Sequence, residues 1–210
     1  MSKLTQRDAF WNKVYQMAFQ DKNIVIVSAD MGAPSLDKFR RDFPGQFINV
    51  GIAEQNAILI ASGLAMAGKH PLVYAIAPFI TLRCLEQIRV ENSIMGIPIT
   101  IVGVGAGFGY EDSGPTHHMV EDISIIRAMP NIIINSISDN IMAEYVAEKS
   151  SQMTITNYVR LDRQPSPDIY RPGHDFSDGL ATISEGNDGC IIATGRIINN
   201  ACFFCPMSCN

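Results

Sequence analysis

Short β-branched runs alternate with helical segments along most of the chain, and this alternation limits the fold more than any other feature. Strands are predicted at residues 24–28, 47–50, 71–76, 99–104, 132–134 and 155–161. Helices are predicted at residues 5–19, 36–43, 53–68, 79–93, 121–129 and 139–149. Because the strands are continuously apolar, both of their faces must be covered by helices. The expected fold class is α/β, with a doubly wound, mostly parallel sheet and helices on both faces.

The alternating pattern also suggests where domains begin and end. Residues 1–165 contain all the predicted strands of the sheet and are expected to form one domain. Residues 166–188 are rich in Pro, Gly, Ser and Asp, which is typical of a linker. Residues 189–195 read GCIIATG and predict a further strand and turn. Residues 189–210 are therefore expected to begin another α/β domain, cut off after one strand.

Composition excludes several classes of function. A net charge of −5 leaves no basic surface for nucleic acid. No apolar run approaches the roughly 18 residues that a membrane span needs, and the polar start, MSKLTQRD, does not resemble a signal peptide. We expect a cytoplasmic protein that binds neither nucleic acid nor membrane.

Five cysteines are present, and they fall into two groups. Cys84 and Cys190 lie in apolar segments and are expected to be small core residues. Cys202, Cys205 and Cys209 lie in the tail, whose C-x-x-C could suggest a metal or redox site. Because a zinc site needs four ligands and the tail offers no structured second pair, no metal site is predicted.

One carboxylate stands where a strand meets a nearly all-apolar helix. Gly51 breaks the strand, and Glu54 lies in the first turn of a helix expected to be buried on all sides. Two interpretations are open. Glu54 is a solvated charge favoured by the helix dipole, or it is a partly desolvated carboxyl group with raised proton affinity and a catalytic role.

A glycine-rich loop follows the strand at residues 99–104. Its spacing could be mistaken for a dinucleotide-binding fingerprint, but the loop leads to Pro115 and not into a helix, so it offers no helix N-terminus to a pyrophosphate. It continues into Gly-Pro-Thr-His at residues 114–117. By itself, a loop histidine such as His117 is expected to be solvent-exposed.

Two motifs together resemble a known family. Residues 49–55, NVGIAEQ, and residues 114–117, GPTH, resemble the N-x-G-I-A-E-Q and D-G-P-T-H-Q signatures of the pyrimidine-binding domain of transketolases and 1-deoxyxylulose-5-phosphate synthases. The resemblance covers about residues 5–165. It implies the thiamine-diphosphate-binding fold and thiamine diphosphate as cofactor, and residues 189–195 resemble the opening of the transketolase carboxyl-terminal domain.

The resemblance implies catalytic and cofactor-binding residues. Glu54 would hydrogen-bond N1′ of the aminopyrimidine, promoting the tautomer that removes the proton from thiazolium C2. His117 would shuttle protons near the thiazolium and the substrate hydroxyls. Gly51 and Ile52 belong to the cofactor-binding signature. Phe79 resembles the aromatic residue that stacks on the aminopyrimidine. Two alternatives stay open: Phe79 packs in the core, or Ile80 is the equivalent residue.

The resemblance also implies substrate-binding residues. Arginines suit a sugar phosphate because their planar fork binds phosphate in a bidentate manner. Ser113 stands where the family has a sugar-binding aspartate, and residues 105–106 replace a basic residue that the family usually has upstream of the G-P-T-H loop, so the substrate-binding part of the signature is weakened. His118 stands where the family usually has glutamine, as a second proton carrier or a surface substitution. The predicted substrate-binding residues are Arg7, Ser35, Asp112, His117, Arg160 and Arg163.

Half of the family's cofactor site is missing from this sequence. The family holds thiamine diphosphate through Mg²⁺ on a G-D-G motif, and no G-D-G occurs here. The resemblance therefore implies a partner, an N-terminal pyrophosphate-binding subunit that holds most of the Mg²⁺ site, and assembly as a dimer of heterodimers.

The implied function is transfer of a two-carbon ketol unit between a ketose and an aldose, with a small sugar or sugar phosphate as substrate. Two alternatives stay open. One is a subunit resembling the β subunit of a 2-oxoacid dehydrogenase or 1-deoxyxylulose-5-phosphate synthase, whose reaction begins with decarboxylation. The other is a non-catalytic, truncated binding module.

Overall fold

The structure is a computed structural model that describes residues 4–204. Its strands are β1 Ile24–Ser28, β2 Phe47–Asn49, β3 His70–Ile76, β4 Thr100–Val104, β5 Ile132–Ser136 and β6 Thr156–Leu161. Its α-helices are α1 Gln6–Ala18, α2 Pro34–Asp42, α3 Glu54–Met66, α4 Ala77–Ile80, α5 Leu85–Gln87, α6 Asp122–Ile126, α7 Asn140–Ser150 and α8 Ile198–Phe204. A π-helix spans Ile88–Ile94, and 3-10 turns span Pro44–Gln46, Leu82–Cys84, Glu111–Ser113 and Gly195–Ile197.

The six strands form one sheet in the order β2-β1-β3-β4-β6-β5, and every neighbouring pair is parallel. The α/β prediction is confirmed. The chain runs outward from β1 to β2 and then crosses back to β3 on the other side of β1. The loops after β1 and β3 therefore diverge at the carboxyl edge of the sheet, which is where open α/β sheets bind ligands.

Each face of the sheet carries its own apolar core. On one face, α1, α2 and α7 bury a cluster that includes Trp11 and Phe39. On the other, α3 and the π-helix bury a cluster that includes Ile58 and Ile88. The strands between them are buried on both sides, which explains their continuous β-branched sequence.

Helix α3 differs from the prediction that it is buried on all sides. Its inner face is buried against the sheet, but Leu59 is 46% exposed and Met66 is 71% exposed. The physical reason is that a single layer of helices covers this face of the sheet, so each helix keeps an outer side.

The single helix predicted at residues 79–93 is wrong in detail. The structure breaks this segment into α4, a 3-10 turn, α5 and the π-helix. The break occurs at Thr81, whose hydroxyl donates a 2.6 Å hydrogen bond to the Ala77 carbonyl. Threonine hydroxyls that bond back to the preceding turn compete with regular helical geometry. The 3-10 turn after Thr81 carries Arg83.

Two expectations about the end of the chain are also corrected. Residues 189–194 form no strand, because a strand needs a hydrogen-bonding neighbour and none of the six described strands pairs with them. Cys190 is exposed and not in the core, whereas Cys84 is buried as predicted. Cys205 and Cys209 lie outside the described residues, and the division into domain, linker and second domain stays a prediction.

Candidate active site

Most of the predicted site residues come after the carboxyl ends of strands, at one edge of the sheet. Glu54 comes after β2, Phe79 after β3, His117 in the long connection after β4, and Arg163 after β6. Because all these strands are parallel, their carboxyl ends meet at the same edge. The topology thus gathers residues that are far apart in sequence.

The Asn-Val-Gly part of the first motif builds the turn that presents Glu54. The Asn49 side-chain oxygen accepts hydrogen bonds from the backbone of Gly51, at 3.0 Å, and of Asp30, at 3.1 Å. Gly51 has φ +73°, a left-handed conformation that favours glycine. Asn49 therefore ties the loop after β1 to the loop after β2. Ile52, at the outside of the turn, is 78% exposed.

Glu54 is the first residue of α3 and is only 3% exposed. The structure therefore excludes the solvated-charge interpretation. Its Oε2 accepts a 2.7 Å hydrogen bond from Nη1 of Arg83, and the two side chains form an ion pair. The carboxylate therefore lies at the N-terminal end of α3 and beside a guanidinium.

Arg83 joins Glu54 to the aromatic part of the site. Its guanidinium carbon lies over the Phe79 ring, 4.2 Å from the centroid, and its backbone carbonyl accepts a 3.0 Å hydrogen bond from Gln55. After the break at Thr81, the Arg83 side chain reaches Glu54 and remains 43% exposed.

His117 lies against the same phenylalanine. The rings of Phe79 and His117 are 5.0 Å apart and nearly perpendicular, and Tyr110 lies 6.0 Å from His117 on another side. The histidine is half-buried, its Nδ1 is 3.1 Å from the Thr116 hydroxyl oxygen, and its backbone N–H donates to the Gly114 carbonyl. The loop therefore holds the imidazole at the edge of the ring that Arg83 covers.

Tyr110 connects this cluster to the predicted substrate-binding arginines. Its ring packs directly on Gly105, which has φ +92° and leaves no room for a side chain. The Arg163 guanidinium lies 4.6 Å from the centroid of the Tyr110 ring, and Arg163 also pairs with exposed Asp112 at 3.7 Å. Burial raises the pKa of Tyr110, while Arg163 and Arg7 act in the opposite direction.

Arg7 and Ser35 both hydrogen-bond to Asp8, near the N-terminus of α1. Arg7 Nε donates to Asp8 at 3.2 Å, and the Ser35 hydroxyl donates to the Asp8 carbonyl at 3.4 Å. Burial lowers the pKa of Arg7, but the hydrogen bond to Asp8 and nearby tyrosines outweigh it and leave the pKa raised. Arg7 is therefore a permanent cation close to Tyr110.

Arg160 is placed differently from the other predicted residues. It forms a 2.6 Å ion pair with Asp122, whose side chain is fully buried and also accepts a 2.7 Å hydrogen bond from Tyr158. Burial first, and then Asp122, raises the pKa of Tyr158 well above its ordinary value. Arg160 also donates to the Met119 carbonyl at 3.3 Å, and so braces the loop that carries His117.

Known proteins are similar to this chain in sequence and in fold. The family model for the transketolase pyrimidine-binding domain matches residues 2–167. The chain belongs to the transketolase pyrimidine-binding domain family. It is 35% identical over 198 residues to the B chain of the apulose-4-phosphate transketolase of Phocaeicola vulgatus, covering 93% of this chain and 64% of that protein.

Other relatives fit the same family assignment. 1-Deoxy-D-xylulose-5-phosphate synthase of Chlamydia felis is 32% identical over 207 residues, which cover 95% of this chain and 32% of that protein. A solved split gene transketolase, described as an inactive β4 tetramer, has a TM-score of 0.79 at 27% identity and covers 89% of this chain and 61% of that one. The chain spans less than two thirds of the length of each of these relatives.

In this transketolase-family domain, sequence reasoning missed two residues of the cluster. Arg83 lies four positions after Phe79, and Tyr110 lies directly after the last glycine of the glycine-rich loop. The glycine-rich loop was a usable signal for Tyr110, because glycine is common where another group packs closely against the backbone. Nothing local indicated Arg83, since its two partners are reached only through the fold.

Metal-ligating clusters and membrane-spanning helices were sought in the described part of this transketolase-family chain. Within residues 4–204, no group of three or more His, Cys, Asp or Glu side chains is arranged to hold a metal ion. Within the same range, no helix is both long and apolar enough to cross a bilayer.

Proposed function

We propose that this chain is the pyrimidine-binding subunit of a two-subunit, thiamine-diphosphate-dependent transketolase that moves a two-carbon ketol unit from a ketose to an aldose. The observation that carries the proposal is the contact of buried Glu54, through Arg83, with the Phe79–His117 pair. A buried carboxylate, a flat apolar ring and a histidine at the edge of that ring are the three groups that the family's chemistry requires.

The residues present fit the aminopyrimidine of this cofactor. A flat hydrogen-bond donor, the guanidinium of Arg83, already lies between Glu54 and Phe79. Bound thiamine diphosphate supplies a carbanion-stabilising thiazolium. Glu54 would then hold or release a proton at the ring nitrogen, Phe79 would orient the ring, and Gly51 and Ile52 would line the turn beside it.

His117 and the arginine cluster are proposed to handle the substrate. His117 would transfer protons at the substrate hydroxyls, a role worth about a hundredfold to ten-thousandfold in rate. Arg7, Ser35, Asp112 and Arg163 would bind the sugar or its phosphate on the Tyr110 side. Arg160 remains a predicted substrate residue, although its ion pair with Asp122 commits one edge of the guanidinium. Arg160 also lines a cleft of about 740 Å³.

A partner chain is proposed to complete the site. The relative from Phocaeicola vulgatus is named as one subunit of its transketolase, and the solved split gene β4 tetramer is described as inactive. Exposed apolar side chains on α3, in the turn before it and on the segment packed beside it support the same arrangement, since exposed apolar patches mark interaction sites. These side chains are Ile52, Leu59, Met66, Leu82, Val90, Ile94 and Met95.

The partner is proposed to be an N-terminal pyrophosphate-binding subunit that carries the G-D-G motif and most of the Mg²⁺ site. The assembly is proposed to be a cytoplasmic dimer of heterodimers. Both proposals extend the family assignment and the exposed apolar side chains of α3 and its neighbouring segments.

Capture of the tagged chain from its native extract tests this proposal. We expect mass spectrometry to identify a larger chain with a G-D-G motif, and the captured material to contain thiamine diphosphate. Recovery of this chain alone, without cofactor, would favour a non-catalytic module. Binding of thiamine diphosphate and Mg²⁺ by the isolated chain with a micromolar Kd would refute the divided site.

Product analysis of the captured complex separates the related activities. A transketolase releases a shortened aldose from a ketose donor, whereas a synthase or 2-oxoacid dehydrogenase releases CO₂ from a 2-oxoacid. Labelled CO₂ from a 2-oxoacid would overturn ketol transfer while leaving the cofactor assignment intact.

A further inference from the structure

We propose that Arg83 is a placeholder for the aminopyrimidine. Its guanidinium occupies the position between Glu54 and Phe79 in the cofactor-free protein and must be displaced when the cofactor binds. The inference rests on the proposed function, because it takes Glu54 and Phe79 as the groups that hold the aminopyrimidine.

The geometry of Arg83 reproduces both contacts proposed for the cofactor ring. Nη1 donates to the Glu54 carboxylate at 2.7 Å, and Cζ lies 4.2 Å from the centroid of the Phe79 ring. A guanidinium is planar and delocalised, stacks on aromatic faces and donates hydrogen bonds in its plane. An aminopyrimidine protonated at its ring nitrogen presents the same features: a flat face, and an in-plane donor facing a carboxylate.

The two groups compete for one volume. A ring stacked on Phe79 and bonded to Glu54 would overlap a guanidinium that makes both of these contacts. Cofactor binding must therefore move Arg83, or the cofactor must give up one of the two contacts.

The exposures of the ion-paired side chains show which one can leave. The Glu54 side chain is 4% exposed, and the Arg83 side chain is 43% exposed. A buried carboxylate without a partner is strongly disfavoured, so Glu54 needs a donor at all times. The Arg83 side chain can rotate into solvent, where its guanidinium stays hydrated. The cofactor then becomes the hydrogen-bond donor that Glu54 needs.

This competition has a measurable consequence for affinity. If only a minor fraction of the protein has Arg83 displaced, the apparent Kd for the cofactor is raised by the inverse of that fraction. Removal of the guanidinium abolishes the competing state. We therefore expect loss of Arg83 to tighten cofactor binding, whereas the same loss would weaken binding if Arg83 supported Glu54 in the bound state.

Calorimetric titration of the cofactor-free two-chain complex with thiamine diphosphate and Mg²⁺ tests this inference. Arg83→Met keeps a long side chain without charge, and we expect its Kd to fall by about tenfold. Arg83→Lys keeps the charge but loses the planar stack, and we expect an intermediate Kd. The matched control is Arg89→Met in the neighbouring π-helix, an exposed arginine without an ion pair among the described residues, whose Kd should stay within about twofold of wild type.

The outcomes separate this inference from the proposed function. Tighter binding by Arg83→Met, with a lower Tm of the cofactor-free complex, supports the placeholder. Unchanged or weaker binding by Arg83→Met, while the wild-type complex binds normally, overturns the placeholder and leaves the proposed function standing. Failure of the wild-type complex to bind thiamine diphosphate at any concentration overturns both. If Arg83→Met does not fold, the Kd of Arg83→Lys decides between the first two outcomes.

Discussion

Arg83 donates a 2.7 Å hydrogen bond to Glu54, a carboxylate 29 positions earlier in the chain. The same guanidinium lies over Phe79, whose ring contacts His117. Four side chains from the segments that follow three different strands thus form one continuous cluster at the carboxyl edge of the sheet. Each part of this cluster, and each residue that supports it, can be tested by a separate substitution.

Glu54→Gln should abolish turnover without unfolding the protein. The amide keeps the size of the carboxylate and a carbonyl oxygen for Arg83, but it cannot exchange a proton with the cofactor ring. We expect kcat of the two-chain complex to fall by about a thousandfold or more, with Tm changed by only a few degrees. Activity above a few per cent of wild type would show that Glu54 is not catalytic.

His117→Asn should lower kcat by about a hundredfold to ten-thousandfold, because asparagine cannot carry a proton between substrate atoms. The loop should keep its shape, since its backbone hydrogen bond to Gly114 is unaffected. His118→Asn is the matched control, since His118 packs on Phe108 and not on Phe79. Equal losses in the two variants would argue against a specific role for His117.

Gly105→Ala should disturb the site through Tyr110. A methyl group at this position would overlap the Tyr110 ring, and the backbone has φ +92°. Gly107→Ala is the control, because its φ is +60° but nothing lies near the added carbon. We expect Gly107→Ala to lower the free energy of unfolding by about 1 kcal/mol, and Gly105→Ala by about 3 kcal/mol with reduced activity. Urea titrations that show equal losses would mean that Tyr110 moves away freely.

Asp122→Asn should be among the most destabilising conservative substitutions. It leaves Arg160 partly buried without its ion partner and weakens the acceptor of the Tyr158 hydroxyl. We expect the free energy of unfolding to fall by about 3 kcal/mol. Asp37→Asn, at the exposed Asp37–Arg40 pair, should barely change it. A small effect at Asp122 would show that the loop carrying His117 does not depend on this buried pair.

Cys84 should resist alkylation in the folded protein. Burial first, and the Glu54 charge second, raise the pKa of its thiol from 9.0 to about 12. Because the unfolded thiol ionises first, this group favours the folded state below pH 9.0, and that contribution is lost between pH 9.0 and about 12. Iodoacetamide at neutral pH should label exposed Cys190 and spare Cys84, as measured by peptide mass spectrometry. Equal labelling of both without unfolding would contradict the burial of Cys84.

The sheet could be predicted from sequence because its information is local. Continuous β-branched runs indicate strands buried on both faces, and their alternation with helices fixes the parallel class. The signatures at residues 49–55 and 114–117 likewise named Glu54 and His117 without a structure. The strand expected at residues 189–194 was wrong because a strand also needs a partner, which no local pattern supplies.

By itself, then, the sequence determined the fold class, the family and two of the groups expected to do chemistry. Only the tertiary structure decided that Glu54 is buried and paired with Arg83, that Tyr110 links His117 to Arg163, and that Arg160 is committed to Asp122. The physical reason is that the hydrophobic periodicity of each strand or helix can be read from that segment alone. An ion pair or a ring contact depends instead on which segments the sheet order brings together.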